Sequence, residues 1–366
     1  SDASSHAGAL AIAPHNVTGR VARHLDWRLE RLGLTRRLAW EEPILKKLGA
    51  LDCDVLHFHD VFECTSPRLL QRLSLLRPVL LTVHDCSPFT GGCLYPVECR
   101  RFEQTCGRCP QKARLGRFDF TRGNVELRRQ AAGSEGTHFI FPSRWMQAEA
   151  EKSLSIQGRS HVIPNGFDPA PYLFPTRQEA RKRLGLSAKD TVVLMGAHSV
   201  ASPYKGAAFA LNALRSVAEL DPVVTVLGYP SPEVENVLQG MRVVAPGFVS
   251  EKSGLANYYA AADLMLFPSL ADNLPIMVQE SMAAGTPVLA FKTGGIPEMI
   301  DHENTGWLVE RGNQEALNSA LHAIVAGGVP AEMGLAAKES ISYRFSMMDF
   351  VDRHINLYRS ISESRP

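Results

Sequence analysis

No run of about 18 apolar residues occurs in the chain, so no membrane-spanning helix is expected. Net charge is nearly absent as well, at +1 over 366 residues. That leaves no global field for nucleic acid or an acidic polymer as partner. The opening Ser1-Asp2-Ala3-Ser4-Ser5 lacks the basic-then-apolar layout of a secretory signal, and the expected location is cytoplasmic. Cysteine is sparse and odd in number, at seven. Without an export signal a full disulfide framework is not expected. No internal repeat of solenoid period stands out.

What is present is an alternation of short apolar runs with helical stretches. Val55–His59, Val79–Val83 and His138–Phe141 read as strands in the first half, with a helix over Pro67–Leu76. In the second half Val192–Met195, Val223–Leu227, Leu264–Phe267 and Pro287–Phe291 read as strands. Ala207–Leu220, Ser253–Ala261 and Ile276–Ala284 read as helices between them. Strands apolar on both faces suit a parallel sheet covered on both sides, and the alternation predicts α/β architecture. Length predicts two domains. The prolines Pro164, Pro169, Pro171 and Pro175, with Gly166 among them, stop helix and central strand alike, and mark the linker. After it, Thr176–Leu184 reads as a charged helix, and Met347–Ile361 closes the chain as another.

Between Gly19 and Trp40 lie Arg20, Arg23, Arg28, Arg31, Arg36 and Arg37, with Val21, Leu25, Leu29 and Leu32 at helical spacing. Two readings are open for this segment: an amphipathic helix packed on the first domain, or a peripheral helix on an anionic membrane surface.

Three loops at the carboxyl ends of the second set of strands carry the chemistry. In open α/β sheets ligands bind there. Ala271-Asp272-Asn273-Leu274-Pro275 leads into a helix bearing Glu280, which places one acid at the mouth and one on the helix, eight residues apart. Such acceptors can bind the hydroxyls of a sugar and a ribose; an acid near a helix N-terminus is also an ordinary response to the helix dipole. Thr293-Gly294-Gly295-Ile296-Pro297-Glu298 lets the backbone approach a ligand and suits a first helical turn offering N–H groups to a pyrophosphate. Pro203-Tyr204-Lys205-Gly206 puts a cation at a loop-to-helix junction.

These motifs resemble glycosyltransferase family 4. The resemblance rests on Pro268-Ser269-Leu270, Asp272-Asn273-Leu274-Pro275, Glu280, Ala283-Ala284-Gly285-Thr286-Pro287-Val288 and Gly294-Gly295-Ile296-Pro297-Glu298, with Ile163–Asp168 and Lys205-Gly206. The first half resembles a subgroup of exopolysaccharide assembly, of the colanic-acid type, through Leu81–Asp85, Pro88–Cys93 and Cys106–Gln111. The resemblance implies a GT-B fold: two Rossmann-like domains facing a cleft, with the C-terminal helix crossing back to the first domain. The boundaries drawn are 1–166 for the acceptor-side domain, with its cysteine-rich loop at 86–111, then 167–345 for the nucleotide-sugar-binding domain and 346–366 for the returning helix.

It further implies retention at the anomeric carbon, no catalytic metal and a UDP- or GDP-sugar donor. Lys205 would hold the diphosphate, Glu280 the ribose, and Asp272 the donor sugar, where the family usually has Glu. Gly294 and Gly295 would lie near the sugar and phosphates, with Asn273 and Leu274 beside the donor. His84 would stand with Asp272 in the catalytic set. The implied acceptor is a saccharide or lipid-linked saccharide. The family usually carries an arginine shortly before its lysine; here the stretch is Gly196-Ala197-His198-Ser199. Its opening strand and Gly-rich loop have no convincing counterpart in Ser1–Thr18.

Cys93, Cys99, Cys106 and Cys109 end in a CxxC pair, a half-site typical of zinc. Structural zinc, disulfides and free thiols all stay open for them. Cys53, Cys64 and Cys86 read as small apolar packers. Besides a transferase, the residues admit a sugar-nucleotide epimerase, a phosphorylase, or a non-catalytic scaffold of a polysaccharide assembly complex.

Overall fold

The computed structural model describes residues 41–59, 66–111, 119–196, 204–229 and 231–363. The basic segment 19–40, Cys64, residues 1–18 and the stretch 197–203 lie outside them. The chain divides into two compact units, 1–163 with 353–366, and 164–352.

In the first unit the elements are α1 (Glu41–Gly49), β1 (Leu56–Phe58), α2 (Pro67–Ser74), β2 (Val79–Thr82), α3 (Thr121–Ala132), β3 (Thr137–Phe141), α4 (Arg144–Glu151) and β4 (Ser160–Val162). The strands form one parallel sheet in the order β1-β2-β3-β4. Helix α2 starts where the sequence supplies a cap: Ser66 Oγ accepts from Leu69 N at 3.1 Å, and Pro67 follows at the first turn, where its missing N–H costs nothing. It buries Leu69, Leu70 and Leu73. These pack with Val79, Leu81, Phe139 and Phe141 in the core of this unit.

The second unit holds α5 (Arg177–Leu184), β5 (Val192–Gly196), α6 (Ala207–Arg215), β6 (Val223–Leu227), α7 (Pro232–Val237), β7 (Arg242–Gly247), α8 (Lys252–Ala261), β8 (Leu264–Phe267), α9 (Ile276–Ala283), β9 (Val288–Lys292), β10 (Gly306–Glu310), α10 (Gln314–Gly327) and α11 (Ala331–Arg344). The helix α12 (Met347–Glu363) starts in this unit and ends in the first. Helix α5 opens with a reciprocal capping box between Thr176 and Glu179 and stops at Gly185, which takes a left-handed φ of 67°. The helix read over Ala207–Leu220 ends earlier, at Arg215, and resumes as a 3-10 turn over Ala218–Leu220.

All six strands of the second sheet are parallel, in the order β10-β9-β8-β5-β6-β7. The chain runs outward through β6 and β7, then returns past β5 to β8. That reversal is the doubly wound topology, and its crevice lies at the carboxyl ends of β5 and β8. Both faces are covered. Val192, Leu194, Met265, Val288 and Ala290 pack into one core, and Val193, Met195, Leu264, Leu266 and Leu289 into the other. Double burial is why these strands read as unbroken apolar runs. The edge strands β4, β7 and β10 do not; each mixes polar residues into the run, as in Arg242 and Glu310.

Candidate functional site

The crevice between β5 and β8 is lined by Met195 and Gly196 from β5, Phe267 from β8 and Pro268 just after it, Lys205, and Met277 of α9. Three loops meet at its rim. The first, at 204–206, is pinned to the second by Leu270 N donating to Tyr204 O at 2.7 Å and Ser269 Oγ donating to the same carbonyl at 3.1 Å. Gly206 has a φ of 70°, and a Cβ on it would stand 1.8 Å from Pro268 O; only glycine permits that approach. The second and third loops are joined in the same manner. Gly295 N donates to Asp272 O at 3.2 Å, and Thr293 Oγ1 to Leu270 O at 3.1 Å. Gly294, at a φ of 59°, lies so close that its Cβ would fall 1.7 Å from Asp272 O.

Lys205 and Asp272, 67 residues apart, form an ion pair of 2.6 Å between Nζ and Oδ2. Asp272 is 9% exposed at its side chain and Lys205 32%. The other carboxylate oxygen of Asp272 accepts from Asn273 N at 3.1 Å. Asn273 is itself buried, and Leu274 sits in the core beside Val278 and Met282. The structure thus brings Lys205, Asp272, Gly294 and Gly295 together. It makes one adjustment: Ile296–Glu298 is a single 3-10 turn, not the opening of a longer helix. The amides of Gly295 and Ile296 already serve Asp272 O and Thr293 O.

Glu280 has other partners. Its Oε1 accepts from the Tyr172 hydroxyl at 2.6 Å and its Oε2 from the Tyr259 hydroxyl at 2.7 Å. Burial first, and the adjoining Glu280 after it, push both phenols above their ordinary range, so both remain donors at neutral pH. Sequence reasoning singles out neither tyrosine. Tyr172 falls in the proline-rich stretch read as linker and Tyr259 in the interior of a helix, and no spacing rule joins them to Glu280.

In the first unit His84 follows β2 and is exposed. Its Nε2 lies 3.3 Å from Nδ1 of His59, which follows β1. The pair belongs to a row of imidazoles. His59 and His84 stack at 5.6 Å between centroids, His57 and His59 lie at 4.2 Å, and His57 and His354 stack at 5.6 Å. His57 is further held by Tyr358 at 2.7 Å and Thr82 at 2.7 Å. Burial, then the neighbouring rings of His59, His354 and His84, lower His57 to about 3. Burial, then His84 and His354, lower His59. The signal for this row is present in part: His57 and His59 alternate at strand period and therefore share a face.

Cys93, Cys99, Cys106 and Cys109 line one hollow with Phe102 and Thr121. The backbone turns sharply there, through positive φ at Cys106, Gly107 and Arg108 in succession. All four are free thiols, and no group of three or more His, Cys, Asp or Glu among the described residues is arranged to hold a metal ion. Cys86 is fully buried beside Met146, while Cys53 is half-buried and receives Arg77 Nη1 on its sulfur at 3.1 Å. No single helix among the described residues is long and apolar enough to cross a membrane.

Comparison with known proteins matches residues 5–171 to the model described as Glycosyltransferase Family 4 and residues 189–327 to that described as Glycosyl transferases group 1. Among relatives, a lipopolysaccharide 1,2-N-acetylglucosaminetransferase of Salmonella typhimurium is 27% identical over 58% of this chain and 60% of its own length. An N-acetyl-alpha-D-glucosaminyl L-malate synthase of Bacillus anthracis is 29% identical over 40% of this chain and 39% of its own. The chain therefore spans no more than about 60% of the length of these curated relatives. Among solved structures, Anabaena HepE in complex with UDP superposes with a TM-score of 0.67 at 19% identity, over 88% of this chain and 82% of that one. Sucrose-phosphate synthase of Thermosynechococcus elongatus gives 0.69 at 20% identity, over 89% and 78%. With parallel α/β units of GT-B type and family models matched across both halves, the chain belongs to glycosyltransferase family 4.

Proposed function

We propose that the chain is a retaining glycosyltransferase that moves a sugar from a nucleoside-diphosphate sugar to a hydroxyl acceptor in exopolysaccharide- or lipopolysaccharide-type glycan assembly. The observation that carries this is the Lys205–Asp272 pair at the switch-point crevice, fixed between two glycines that admit no side chain. A cation there suits the leaving diphosphate, and a buried carboxylate beside it suits a sugar hydroxyl. When donor enters, Lys205 exchanges part of its bond to Asp272 for the phosphates, and charge accumulating on the departing diphosphate is stabilised at a preorganised site. The reacting carbon passes through an oxocarbenium-like state, with attack on the face the diphosphate leaves. His84, paired with His59, is assigned to orient the acceptor hydroxyl.

Glu280 is assigned to the ribose. UDP is the nucleotide named with the Anabaena protein of like fold, and it heads the nucleotides to test. A lipid-linked saccharide acceptor, work in the cytoplasm and contact of segment 19–40 with an anionic leaflet belong to the same proposal; the six arginines of that segment support the last. The test is a thermal-shift screen with UDP, GDP, ADP, TDP and CDP on the natural chain and on Glu280→Ala. Ligand at about 100 times its dissociation constant adds roughly 2.7 kcal/mol. The expected result is a shift with one nucleotide that Glu280→Ala loses. A folded chain that shifts with none of them overturns the assignment and favours a scaffold role.

Zinc on Cys93, Cys99, Cys106 and Cys109 is a separate part of the proposal. Four soft donors on one hollow are the donor chemistry of a closed structural site, and holding an ion requires the thiols to draw together. Elemental analysis is expected to find about one zinc per chain, lost in Cys106→Ser. A metal-free chain with these four thiols alkylatable ends that reading.

A further inference from the structure

Glu280 is held in a way that a surface acid on a helix does not require. Tyr172 reaches it from the 3-10 turn Ala170–Tyr172 and Tyr259 from α8. Both tyrosines are 1% exposed, so neither hydroxyl can turn to solvent in place of the carboxylate. Tyr172 is fixed in turn: its ring stacks on Phe167 at 5.7 Å, and Phe167 N donates to Phe345 O at 2.8 Å. The two phenol rings meet edge to face at 6.1 Å. One donor on each carboxylate oxygen, from two different elements, sets both the position and the plane of the carboxylate. A carboxylate offers about four lone-pair sites, so two remain, and their directions are set by the tyrosines.

We propose that Tyr172 and Tyr259 are positioning residues for nucleotide recognition: by fixing both oxygens of Glu280 they aim its remaining lone pairs at the ribose hydroxyls, and so determine discrimination between ribose and deoxyribose donors. The inference rests on the assignment of Glu280 to the ribose. A carboxylate free to rotate accepts a bond from whatever is near it. One held in a single plane loses the bond outright when a hydroxyl is missing, and sites built to hydrogen-bond a hydroxyl reject analogues lacking it by large factors.

The experiment is calorimetric titration of UDP and GDP, each beside its 2′-deoxy and 3′-deoxy forms. The proteins are the natural chain, Tyr172→Phe, Tyr259→Phe and Glu280→Ala, each checked for folding by its melting transition. The natural chain is expected to prefer a ribonucleotide over at least one deoxy form by about tenfold or more. In each phenylalanine variant that preference should fall to within about threefold, with affinity for the deoxy form nearly unchanged. A purely structural role would weaken both forms together and keep the ratio, and that result overturns the inference. If Glu280→Ala removes the preference while both phenylalanine variants keep it, the inference fails and the ribose assignment stands. If Glu280→Ala leaves the preference intact, or no nucleotide binds the natural chain, the ribose assignment fails and takes the inference with it. The two variants alter different elements, so either one that folds decides the matter.

Discussion

Gly294→Ala is the perturbation whose cost follows most directly from the geometry. The added methyl would stand 1.7 Å from Asp272 O, 2.9 Å from Asp272 C and 3.3 Å from Asp272 N. All three are backbone atoms, so no side-chain rotation relieves the overlap. The two loops have to separate by roughly 1.5 Å for ordinary contact. Displacement of that kind costs about 1–3 kcal/mol, and a non-glycine residue at the φ of 59° adds about 1–2 kcal/mol. The sum is about 2–5 kcal/mol. For a unit of 150–250 residues it corresponds to a fall in melting temperature of about 4–20 °C.

Gly312→Ala isolates the second contribution. Gly312 has a φ of 76°, and a methyl group added there would meet no atom within 4 Å, so the substitution should cost only about 1–2 kcal/mol. Scanning calorimetry of both variants measures the difference, and titration of the nucleotide that the thermal-shift screen selects measures its consequence. Gly294→Ala should melt well below Gly312→Ala and should lose nucleotide affinity, because Asp272 moves with the loop and displaces its ion-pair partner Lys205, the cation assigned to the diphosphate. Equal melting of the two variants, or full binding by Gly294→Ala, would refute the contention that contact between these loops holds the site.

Lys205→Met leaves the buried Asp272 carboxylate without this partner; a loss of about 1–3 kcal/mol is expected, with Lys205→Met/Asp272→Asn regaining stability in a double-mutant cycle but not nucleotide affinity. Arg181 is buried and donates to Ala261 O and Ala188 O, both at 3.0 Å, and to Asp263 Oδ2 at 2.6 Å, so Arg181→Met should cost about 3–5 kcal/mol in urea unfolding, and a loss under about 1 kcal/mol counts against that network. His57 is lowered to about 3, by burial first and then by His59, His354 and His84. His138 is lowered to about 4, by burial first and then by His161 and Arg159. Each is neutral when folded and takes up a proton on unfolding between those values and about 6.5, so the first unit should lose stability as pH falls from about 6.5 toward 4. Hydrogen exchange of β2 and β3 at pH 7.5, 5.5 and 4.5, corrected for intrinsic rates, reads this, and a flat profile contradicts it.

How far the fold was legible depended on burial. Val192–Met195, Val223–Leu227, Leu264–Phe267 and Pro287–Phe291 are interior strands, apolar on both faces, and their position along the chain is where the sheet has them. The edge strands β4, β7 and β10 escaped, whereas the edge strand β1 lies within the run Val55–His59 that reads as a strand. β7 carries Arg242 exposed and Pro246 within it, a composition an edge tolerates and a sequence pattern rejects. The helix starts near Pro67 and Thr176 were read to within a residue, whereas the helices whose side-chain caps are Ser143, Ser231 and Asn313 were not read.

The site divides along the same line, between what is local and what is brought together by folding. Lys205, Asp272, Gly294 and Gly295 could be named because each belongs to a loop after a recognisable strand. What they do to one another could not be read. The partners of Glu280 stand 108 and 21 residues away, and His57 meets Tyr358 across 301 residues; no spacing rule spans such distances. Gly294 shows the difference most sharply. Read as sequence, its missing side chain makes room for a ligand. In the structure the atom that forbids a side chain is the carbonyl of Asp272. On the proposed assignment the glycine acts on the ligand at one remove, by letting the loop that carries the carboxylate close down, which is why its replacement should disturb stability and nucleotide binding together, where a residue that merely cleared space for substrate would disturb binding alone.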